Sequence, residues 1–441
     1  MLSAKQSKYK LPTKLIRLFK NYRVTMKQYF YERECQNQQL REQSLLARLS
    51  AFITYTKQEC QHYKQTLAHI DAEKITSRAL LAQLPITRKS DLMRLQAKHS
   101  PLGGLNAKKA NLGRIFQSPG PIYDPENTSD DWWRMGQAFY AAGFRKGDLV
   151  QNCLSYHLTP GGFILDSGAR ACGCVVIPAG PGQTEQQLDI IEHLKPQGYA
   201  GTPSFLKIIL DKASAENRDI SSVTKALVTG EALPKALRAE LNAAGINTLQ
   251  AYASADVGLI GFESKSDDGF IIAEDLLVEI VRPGTLEPVA DGEIGEVVVT
   301  SFNLDYPLIR FATGDLSAVK VGISDCGRTN MRIKGWLGRA DQTTKVKGMF
   351  VHAQQIEQVR QAYPHITKMR LSVTQVNYND QMHLQCELET ENYSDADIAD
   401  ALDNISTTLK KVTKLTGSIE FVALGALPDD GKVIDDLRAI N

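Results

Sequence analysis

The sequence predicts an α/β protein with a large N-terminal domain of parallel sheets, an added β subdomain and a small C-terminal α+β domain. Three observations support this fold class. Helix-like and strand-like segments alternate between residues 130 and 244, short β segments replace them from Phe270, and a compact α+β pattern follows Gly338. Such alternation is typical of parallel sheets covered by helices.

The bulk composition is that of an ordinary folded chain. A length of 441 residues suggests two or three domains, and a hydrophobic share of 43% allows a sizeable core. The 51 Lys and Arg residues are balanced by 50 Asp and Glu residues. The net charge therefore gives no electrostatic reason to expect nucleic acid or an acidic substrate as a partner.

Two features bear on localisation. Every apolar run falls short of the roughly 20 residues that span a bilayer, so we expect no transmembrane segment and a cytoplasmic protein. The seven cysteines, an odd number, fit a reducing compartment. The first 30 residues carry eight Lys or Arg residues and no acidic residue. This segment either lies on an anionic surface or forms a solvated first helix.

The N-terminal hundred residues read as mainly helical, with leucines at helical intervals between residues 36 and 64. Thr87 is predicted to cap a short helix. A Gly- and Pro-rich loop is predicted from Gln117 to Asn127.

The alternating region contains the turn of greatest interest. A predicted strand ends at Val228 and Thr229, and a helix begins after Pro234 and continues to Ala244. Turns between strand and helix are where α/β proteins usually bind ligands. Other predicted strands cover residues 149–152, 175–178, 276–281 and 296–300.

The C-terminal hundred residues read as a separate α+β unit, with a boundary predicted between Trp336 and Asp341. The predicted organisation is a helical segment of the large domain at 1–83, a catalytic domain at 84–337 and a C-terminal domain at 338–441.

One motif suggests nucleotide binding by its own chemistry. Tyr306 to Leu316 reads YPLIRFATGDL and places Asp315 after a strand and a glycine. There the two carboxylate oxygens could accept hydrogen bonds from both hydroxyls of a ribose. Taken alone, Thr-Gly-Asp is also a common turn. About two dozen residues later, at the predicted boundary, Gly338 to Val351 reads GRADQTTKVKGMFV.

This pair of motifs resembles the adenylate-forming superfamily, and is most similar to its phenylacetate-CoA ligase branch. Residues 307–316 are similar to the PLIRYRTGD segment of that branch, and residues 338–357 to its hinge segment. Shorter matches follow the same order, at residues 150–152, 161–162, 176–178, 202–204, 228–231, 252–256 and 431–435. The resemblance spans roughly Leu84 to Arg438.

The resemblance implies a fold, a reaction and a set of roles. The carboxylate of a small acid, an aryl acid such as phenylacetate, attacks ATP to give an acyl-adenylate, and CoA then displaces AMP while a mobile C-terminal domain rotates. The resemblance also implies that Mg²⁺ takes part in the reaction and that the protein is a homodimer. By this resemblance, Gly230 and Glu231 form the turn beside the adenine, Tyr252 stacks on the adenine, and Asp315 binds the ribose. Arg339 is the cation at the hinge, Asp341 is the pivot and Asp256 is the metal ligand. Lys432 is the catalytic lysine, and Lys347 and Gly348 lie on the CoA side.

The phosphate loop departs from the family pattern. In place of a Ser/Thr/Gly-rich loop ending in Lys, residues 116–126 read FQSPGPIYDPE. Prolines have no amide hydrogen to donate, and Asp124 and Glu126 would repel a triphosphate if they pointed inward. Ser118 and Gly120 remain as the expected phosphate contacts. Asp256 also replaces the usual Glu.

These departures leave three hypotheses open. The chain is an AMP-forming acyl-CoA ligase, a non-catalytic homologue that binds a nucleotide or a partner, or an adenylating enzyme that loads the phosphopantetheine arm of a carrier protein. The arm and CoA present the same thiol, so the sequence does not separate the two acceptors.

Overall fold

The fold is described from a computed structural model of the chain. It describes residues 29–99, 101–118, 121–265, 268–282, 285–322, 324–337, 340, 343–347, 349–376, 379–388, 395–428 and 433–438. The α-helices of these segments are α1 Gln38–Glu59, α2 Gln61–Thr66, α3 Arg78–Leu81, α4 Leu92–Lys98, α5 Gly136–Ala141, α6 Gly161–Ala171, α7 Thr184–Leu194, α8 Pro203–Ala215, α9 Lys235–Ala243, α10 Ala353–Gln361 and α11 Asp395–Thr413.

The strands follow in chain order. They are β1 Thr87–Arg88, β2 Leu112–Ser118, β3 Ile122–Asn127, β4 Leu149–Asn152, β5 Val175–Pro178, β6 Gly198–Gly201, β7 Lys225–Val228, β8 Asn247–Ser254, β9 Gly258–Phe262, β10 Phe270–Ile272, β11 Leu276–Val281, β12 Ile294–Ser301, β13 Leu308–Ala318, β14 Arg332–Ile333, β15 Thr343–Val346, β16 Met349–His352, β17 Ile366–Val376, β18 Asn379–Leu388, β19 Ser418–Val422 and β20 Ile434–Asp436.

The predicted N-terminal helix is confirmed, with a break. Asn37 caps α1 because its side chain accepts hydrogen bonds from the amides of Gln39 and Leu40. The helix ends at Glu59, where Cys60 leaves the helical conformation and forms an isolated bridge to Ala107.

Parallel strands form the main sheet, as predicted. Among the described strands its order is β14-β10-β9-β8-β7-β6-β4-β5. Strands β5, β4, β6, β7 and β8 run parallel, whereas β9, β10 and β14 extend the sheet in antiparallel fashion. The carboxyl ends of β7 and β8 therefore lie side by side at one edge.

The β subdomain corrects one prediction. Its sheet has the order β1-β13-β12-β11, in which β11, β12 and β13 are antiparallel. Thr87 was expected to cap a helix, but it lies in β1 and pairs in parallel with Phe311 of β13. The prediction failed because a local capping pattern carries no signal for pairing with a strand more than 200 residues away.

The predicted loop from Gln117 to Asn127 is also wrong. Residues 117–118 and 122–127 belong to the antiparallel strands β2 and β3, in which Ser118 pairs with Ile122 and Phe116 with Asp124. Prolines are compatible with such a hairpin because Pro125 lies in a two-stranded sheet, whose outer edge needs no donor.

The C-terminal segment forms a unit with its own core. Strands β17 to β20 form a sheet of order β19-β18-β17-β20, and buried side chains such as Val359, Leu371, Leu384 and Leu409 pack as one cluster. The boundary predicted between Trp336 and Asp341 falls largely outside the described residues and stays a prediction.

Two smaller expectations concern membranes and thiols. None of the helices in the described ranges is long and apolar enough to cross a bilayer. All seven cysteines are free, and Cys172 and Cys174 are buried.

Candidate active site

The turn after β7 begins the site. Gly230 follows β7 at a φ of +84°, a conformation that favours glycine. The side chain of Gln250 on β8 donates a hydrogen bond of 2.9 Å to the backbone carbonyl of Glu231. Since Val228 pairs with Gln250 in register, this turn lies beside the carboxyl end of β8, which carries Tyr252.

Tyr252 links this edge to the β subdomain. Its hydroxyl donates to Asp315 Oδ2 at 2.8 Å and lies 3.2 Å from the Thr313 hydroxyl oxygen. Its ring stacks on Phe270, with centroids 6.1 Å apart and an interplanar angle of 28°. Tyr252 thus contacts the predicted ribose ligand and lies on the strand that borders the predicted adenine turn.

Asp315 is held with both oxygens in use. Trp336 Nε1 donates to its Oδ1 at 2.9 Å, and its own amide donates to Thr313 Oγ1 at 3.1 Å. Gly314, at a φ of +78°, permits the turn that places this carboxylate. A carboxylate has about four acceptor positions, and Tyr252 and Trp336 each use one of those of Asp315.

Asp256 lies in a buried ion pair. Its Oδ2 is 2.5 Å from Lys89 Nζ, and its side chain is fully buried. Its Oδ1 has no hydrogen-bond partner among the described residues. Lys89 comes from the 3₁₀ turn Lys89–Asp91, directly after β1. The pairing of β1 with β13 therefore brings this lysine to the end of β8.

The hairpin that replaces the phosphate loop adds a second buried carboxylate. Ser118 donates a hydrogen bond of 2.5 Å to Asp124 Oδ2. Asp124 is fully buried. Burial raises the pKa of Asp124, the negative charge of Asp256 raises it further, and Lys89 and Ser118 oppose the shift. The side chain of Asp124 therefore points into the protein interior and contacts Ser118, one of the predicted phosphate contacts.

Glu126 is buried as well, but its charge is compensated. Arg114 Nη1 lies 2.7 Å from Glu126 Oε2. The guanidinium of Arg114 in turn lies over the Phe163 ring, 4.7 Å from its centroid. Glu126 is therefore paired with a cation, whereas the described contact of Asp124 is with the Ser118 hydroxyl.

Comparison with known proteins supports the same assignment. The sequence profile of the family described as "AMP-binding enzyme" matches residues 133–304. A phenylacetate-coenzyme A ligase of Thermus thermophilus is 28% identical over 72% of this chain and 75% of its own length. A second, from Pseudomonas putida, is 27% identical over 87% of this chain and 91% of its own length.

The AMP-binding enzyme profile and the similar phenylacetate-coenzyme A ligases support the predicted resemblance to the phenylacetate-CoA ligase branch of the adenylate-forming superfamily.

A solved structure confirms the predicted fold class. The crystal structure of a 2-hydroxyisobutyryl-CoA ligase, solved with its acyl-adenylate and CoA in the thioesterification state, superposes with a TM-score of 0.81. The match covers 95% of this chain and 94% of the other at 21% identity. The predicted α/β fold is therefore confirmed.

The structure brings some of the predicted site residues together. Tyr252 contacts Asp315, and Gln250 on the same strand contacts Glu231 of the predicted adenine turn. Ser118 contacts Asp124, and Asp256 contacts Lys89. Lys347 makes no described contact with these residues. Its amide donates a hydrogen bond to Asp380 within the C-terminal unit. Five further candidates, Gly120, Arg339, Asp341, Gly348 and Lys432, lie outside the described residues.

Sequence reasoning missed several members of the site. Lys89 was assigned to the short helix predicted after Thr87. Its position as a cation directly after β1, which pairs with the Asp315 strand β13, would have been a signal. Trp336 and Thr313, which position Asp315, lie in or beside the recognised motif. Asp124 was noticed only as a source of repulsion, and its contact with Ser118 depends on the hairpin register.

Proposed function

We propose that the chain catalyses AMP-forming ligation of a carboxylic acid to CoA through an acyl-adenylate. The observation that carries the proposal is the contact of Tyr252 with Asp315 beside the Gly230–Glu231 turn, at the carboxyl edge of a parallel sheet. Ligands of open α/β sheets bind at this edge. The similarity to phenylacetate-coenzyme A ligases and the match to the AMP-binding enzyme profile support the same reaction, because adenylate-forming ligases use ATP and CoA.

In this reaction the protein acts mainly by positioning the carboxylate, ATP and CoA, and forms no covalent bond with them. An oxygen of the substrate carboxylate attacks the α-phosphorus of ATP, the bond to the β-phosphate oxygen breaks, and pyrophosphate leaves. The CoA sulfur then attacks the acyl carbon, the bond to the adenylate oxygen breaks, and AMP leaves. Asp315 would hold the ribose, and Tyr252 with the Gly230–Glu231 turn would hold the adenine.

The remaining assignments extend this proposal. We propose that Lys432 bridges the substrate carboxylate and the α-phosphate, that Arg339 reaches the ribose or a phosphate, and that Asp341 is the pivot of the C-terminal domain. Lys347 and Gly348 would face the CoA channel after rotation. All of these rest on the family motifs.

Asp256 fits the Mg²⁺ that the family implies. Its buried Oδ1 lacks a partner among the described residues, and carboxylate oxygens are the ligands that Mg²⁺ prefers. Bound Mg²⁺ would offset the charge that develops on the phosphates. The residue of this chain that would hold it is Asp256, with Lys89 adding positive charge from the other side.

The substrate is proposed to be an aryl acid such as phenylacetate, since the relatives reported above are phenylacetate-coenzyme A ligases. ATP and CoA are metabolites of the cytoplasm, so we propose that the protein acts there. We also propose a homodimer, which size-exclusion chromatography with light scattering would test.

Pyrophosphate release tests the proposal. The purified chain would be incubated with ATP, Mg²⁺ and a panel of aryl, branched and fatty acids, with and without CoA. We expect release that depends on one class of acid and increases with CoA, and that is lost in the Asp315→Ala variant. No release with any acid, together with no ATP binding by calorimetry, would refute the enzyme hypothesis.

One observation favours a second candidate, a nucleotide-binding protein without turnover. Asp124 places a carboxylate beside Asp256, where the family has a loop that donates amides to phosphates. ATP binding by calorimetry without pyrophosphate release from any acid would support this alternative. Pyrophosphate release would exclude it.

A further inference from the structure

Arg238 and Glu263 form a buried ion pair between α9 and the end of β9. Arg238 Nη2 donates to Glu263 Oε1, and Arg238 Nη1 to Glu263 Oε2, both at 2.8 Å. Their exposed fractions are only 7% and 5%. Two parallel hydrogen bonds fix the orientation of both side chains. Because a buried ion pair is weak evidence for a gain in stability, the contacts around it indicate what else it does.

The ion pair also holds β8. Glu263 Oε2 accepts a hydrogen bond of 2.7 Å from the Gln250 amide, and the Glu263 amide donates to the Gln250 carbonyl at 2.9 Å. Arg238 Nη1 donates to the Thr248 carbonyl at 3.1 Å. Arg238 and Glu263 therefore fix the backbone of β8 at two residues, Thr248 and Gln250.

The Gln250 side chain connects β8 to the turn between β7 and α9. Its Nε2 donates to the Glu231 carbonyl, in the middle of that turn, at 2.9 Å. Because side chains alternate between the two faces of a strand, Gln250 and Tyr252 lie on the same face of β8. The side chain that holds the turn and the ring that contacts Asp315 are thus two residues apart on one strand.

The turn is tied to β8 at its start, middle and end. It starts after Val228 of β7, which pairs with Gln250 in register. Its middle is held at Glu231 by the Gln250 side chain. It ends at α9, where Arg238 lies in the first turn of the helix and binds β8 directly and through Glu263. A change in the ion pair should therefore move the turn relative to Tyr252.

We propose that Arg238 and Glu263 are positioning residues, which hold the Gly230–Glu231 turn and Tyr252 at the spacing that one nucleotide base requires. The proposal rests on the proposed function, in which that turn and Tyr252 hold the adenine. The base is far from the bonds that form and break at the α-phosphorus. Loss of the ion pair should therefore weaken ATP binding in the ground state and the transition state alike, which raises the KM for ATP and leaves kcat nearly unchanged.

Glu263→Gln tests the proposal. The substitution keeps the size of the side chain and removes the charge that Arg238 and the Gln250 amide share. We expect the Kd for ATP by calorimetry and the KM for ATP each to rise about tenfold, whereas kcat and the KM for CoA should change less than about twofold. Without nucleotide, hydrogen–deuterium exchange of the amides of residues 229–234 should become faster, because the turn is held less firmly.

Glu274→Gln is the matched control. Glu274 and its partner Arg41 have the same exposed fractions, 5% and 7%, as Glu263 and Arg238. The described contacts of the Glu274 side chain all lie outside β8 and the turn. This variant should lose stability to urea in the same way as Glu263→Gln, but its ATP affinity and its exchange at residues 229–234 should match those of the wild type.

A double variant separates positioning from stability. Arg238→Met combined with Glu263→Leu leaves no unpaired buried charge, so it should be more stable to urea than Arg238→Met alone. Its ATP affinity should stay low, because the Gln250 amide still lacks its carboxylate acceptor. Recovery of ATP affinity together with stability would show that the ion pair acts through stability alone, and would overturn the proposal.

The outcomes distinguish this proposal from the proposed function. A wild type that binds ATP and releases pyrophosphate, with unchanged ATP affinity in Glu263→Gln or an equal loss in Glu274→Gln, would overturn the positioning role and leave the ligase intact. A wild type that neither binds ATP nor releases pyrophosphate would overturn both.

Discussion

Asp315 is the residue on which nucleotide affinity should depend most directly. Its two oxygens already accept hydrogen bonds from Tyr252 at 2.8 Å and Trp336 at 2.9 Å, so the carboxylate is fixed before a nucleotide arrives. Asp315→Ala should weaken ATP binding by about 1.5 to 3 kcal/mol, as expected for hydrogen bonds to a charged group.

Calorimetry with ATP would measure this loss, and Tyr252→Phe is the matched control. That substitution keeps the ring and removes only one hydrogen bond to Asp315, so it should cost less, about 0.5 to 1.5 kcal/mol. Unchanged ATP affinity in Asp315→Ala would count against the assignment of the ribose ligand.

Asp275 makes a pH-dependent contribution to stability. Burial alone would raise its pKa, but Arg33 and Arg48 lower it from 3.8 to about 2. They lie 2.6 Å and 2.7 Å from its two oxygens. Because the folded-state pKa is depressed, this stability is present above pH 3.8 and is lost as the pH falls through 2.

Asp275→Asn should therefore lower the free energy of unfolding by up to about 2 kcal/mol at pH 7. The difference from the wild type should shrink between pH 4 and pH 2, as followed by urea unfolding at each pH. Asp211→Asn, which breaks an exposed helix pair with Lys207, should cost less than about 0.5 kcal/mol. A difference for Asp275→Asn that stays constant with pH would contradict the proposed cause.

Strand β13 shows that one motif serves both structure and function. Arg310, five residues before Asp315, is fully buried. Its guanidinium binds Glu279 Oε2 at 3.1 Å and the backbone carbonyls of Leu84 at 2.7 Å and Leu286 at 2.8 Å. It joins β13 to β11 and to the segment before β1, and thereby fixes the strand that carries Asp315.

Arg310→Met should lower the free energy of unfolding by about 3 to 5 kcal/mol, because Glu279 would remain buried without its partner. Urea denaturation would measure the loss. Adding Glu279→Gln to Arg310→Met should recover part of it, since the unpaired charge is then removed. A double variant as unstable as the sum of the two single variants would show that the ion pair is not the cause.

Prediction of the elements from sequence succeeded where a periodic pattern decides the structure. Strands such as Leu149–Asn152 and Leu276–Val281 follow from runs of apolar residues between turn signals. The hairpin of β2 and β3 was missed because Pro119, Pro121 and Pro125 read as loop residues. Thr87 was misassigned because β1 exists only through its pairing with β13.

At the scale of the whole molecule, the described chain contains separate cores before and after the predicted boundary. Buried residues such as Phe311 and Ile333 belong to the core of the N-terminal part, and Leu371 and Leu384 to that of the C-terminal unit. This division fits the proposed rotation of the C-terminal domain about Asp341. The rotation and the pivot remain proposals.

Lys432→Ala tests whether this lysine acts in adenylate formation rather than in thioester formation. We expect the variant to lose most of its adenylate formation, measured by pyrophosphate release, because the lysine is proposed to bridge the carboxylate and the α-phosphate. Thioester formation from a presynthesised acyl-adenylate and CoA should change much less. Equal losses in the two half-reactions would refute the proposed role.

The site residues that were predicted from the sequence are those that lie in local motifs. Asp315, Tyr252 and the Gly230–Glu231 turn were found because each lies in a short ordered pattern at the end of a strand. The contacts of Lys89 with Asp256 and of Ser118 with Asp124 depend on strand pairing and on the direction of side chains. Those features are set by tertiary structure.

The central claim is that the carboxylate itself attacks the α-phosphorus of ATP, and isotope transfer tests it most directly. An acid that supports turnover would be labelled with ¹⁸O in both carboxylate oxygens and incubated with ATP and CoA, and the products would be analysed by mass spectrometry. The account predicts one ¹⁸O atom in AMP and one in the acyl-CoA. Unlabelled AMP, or ¹⁸O in inorganic phosphate with ADP as the nucleotide product, would contradict it.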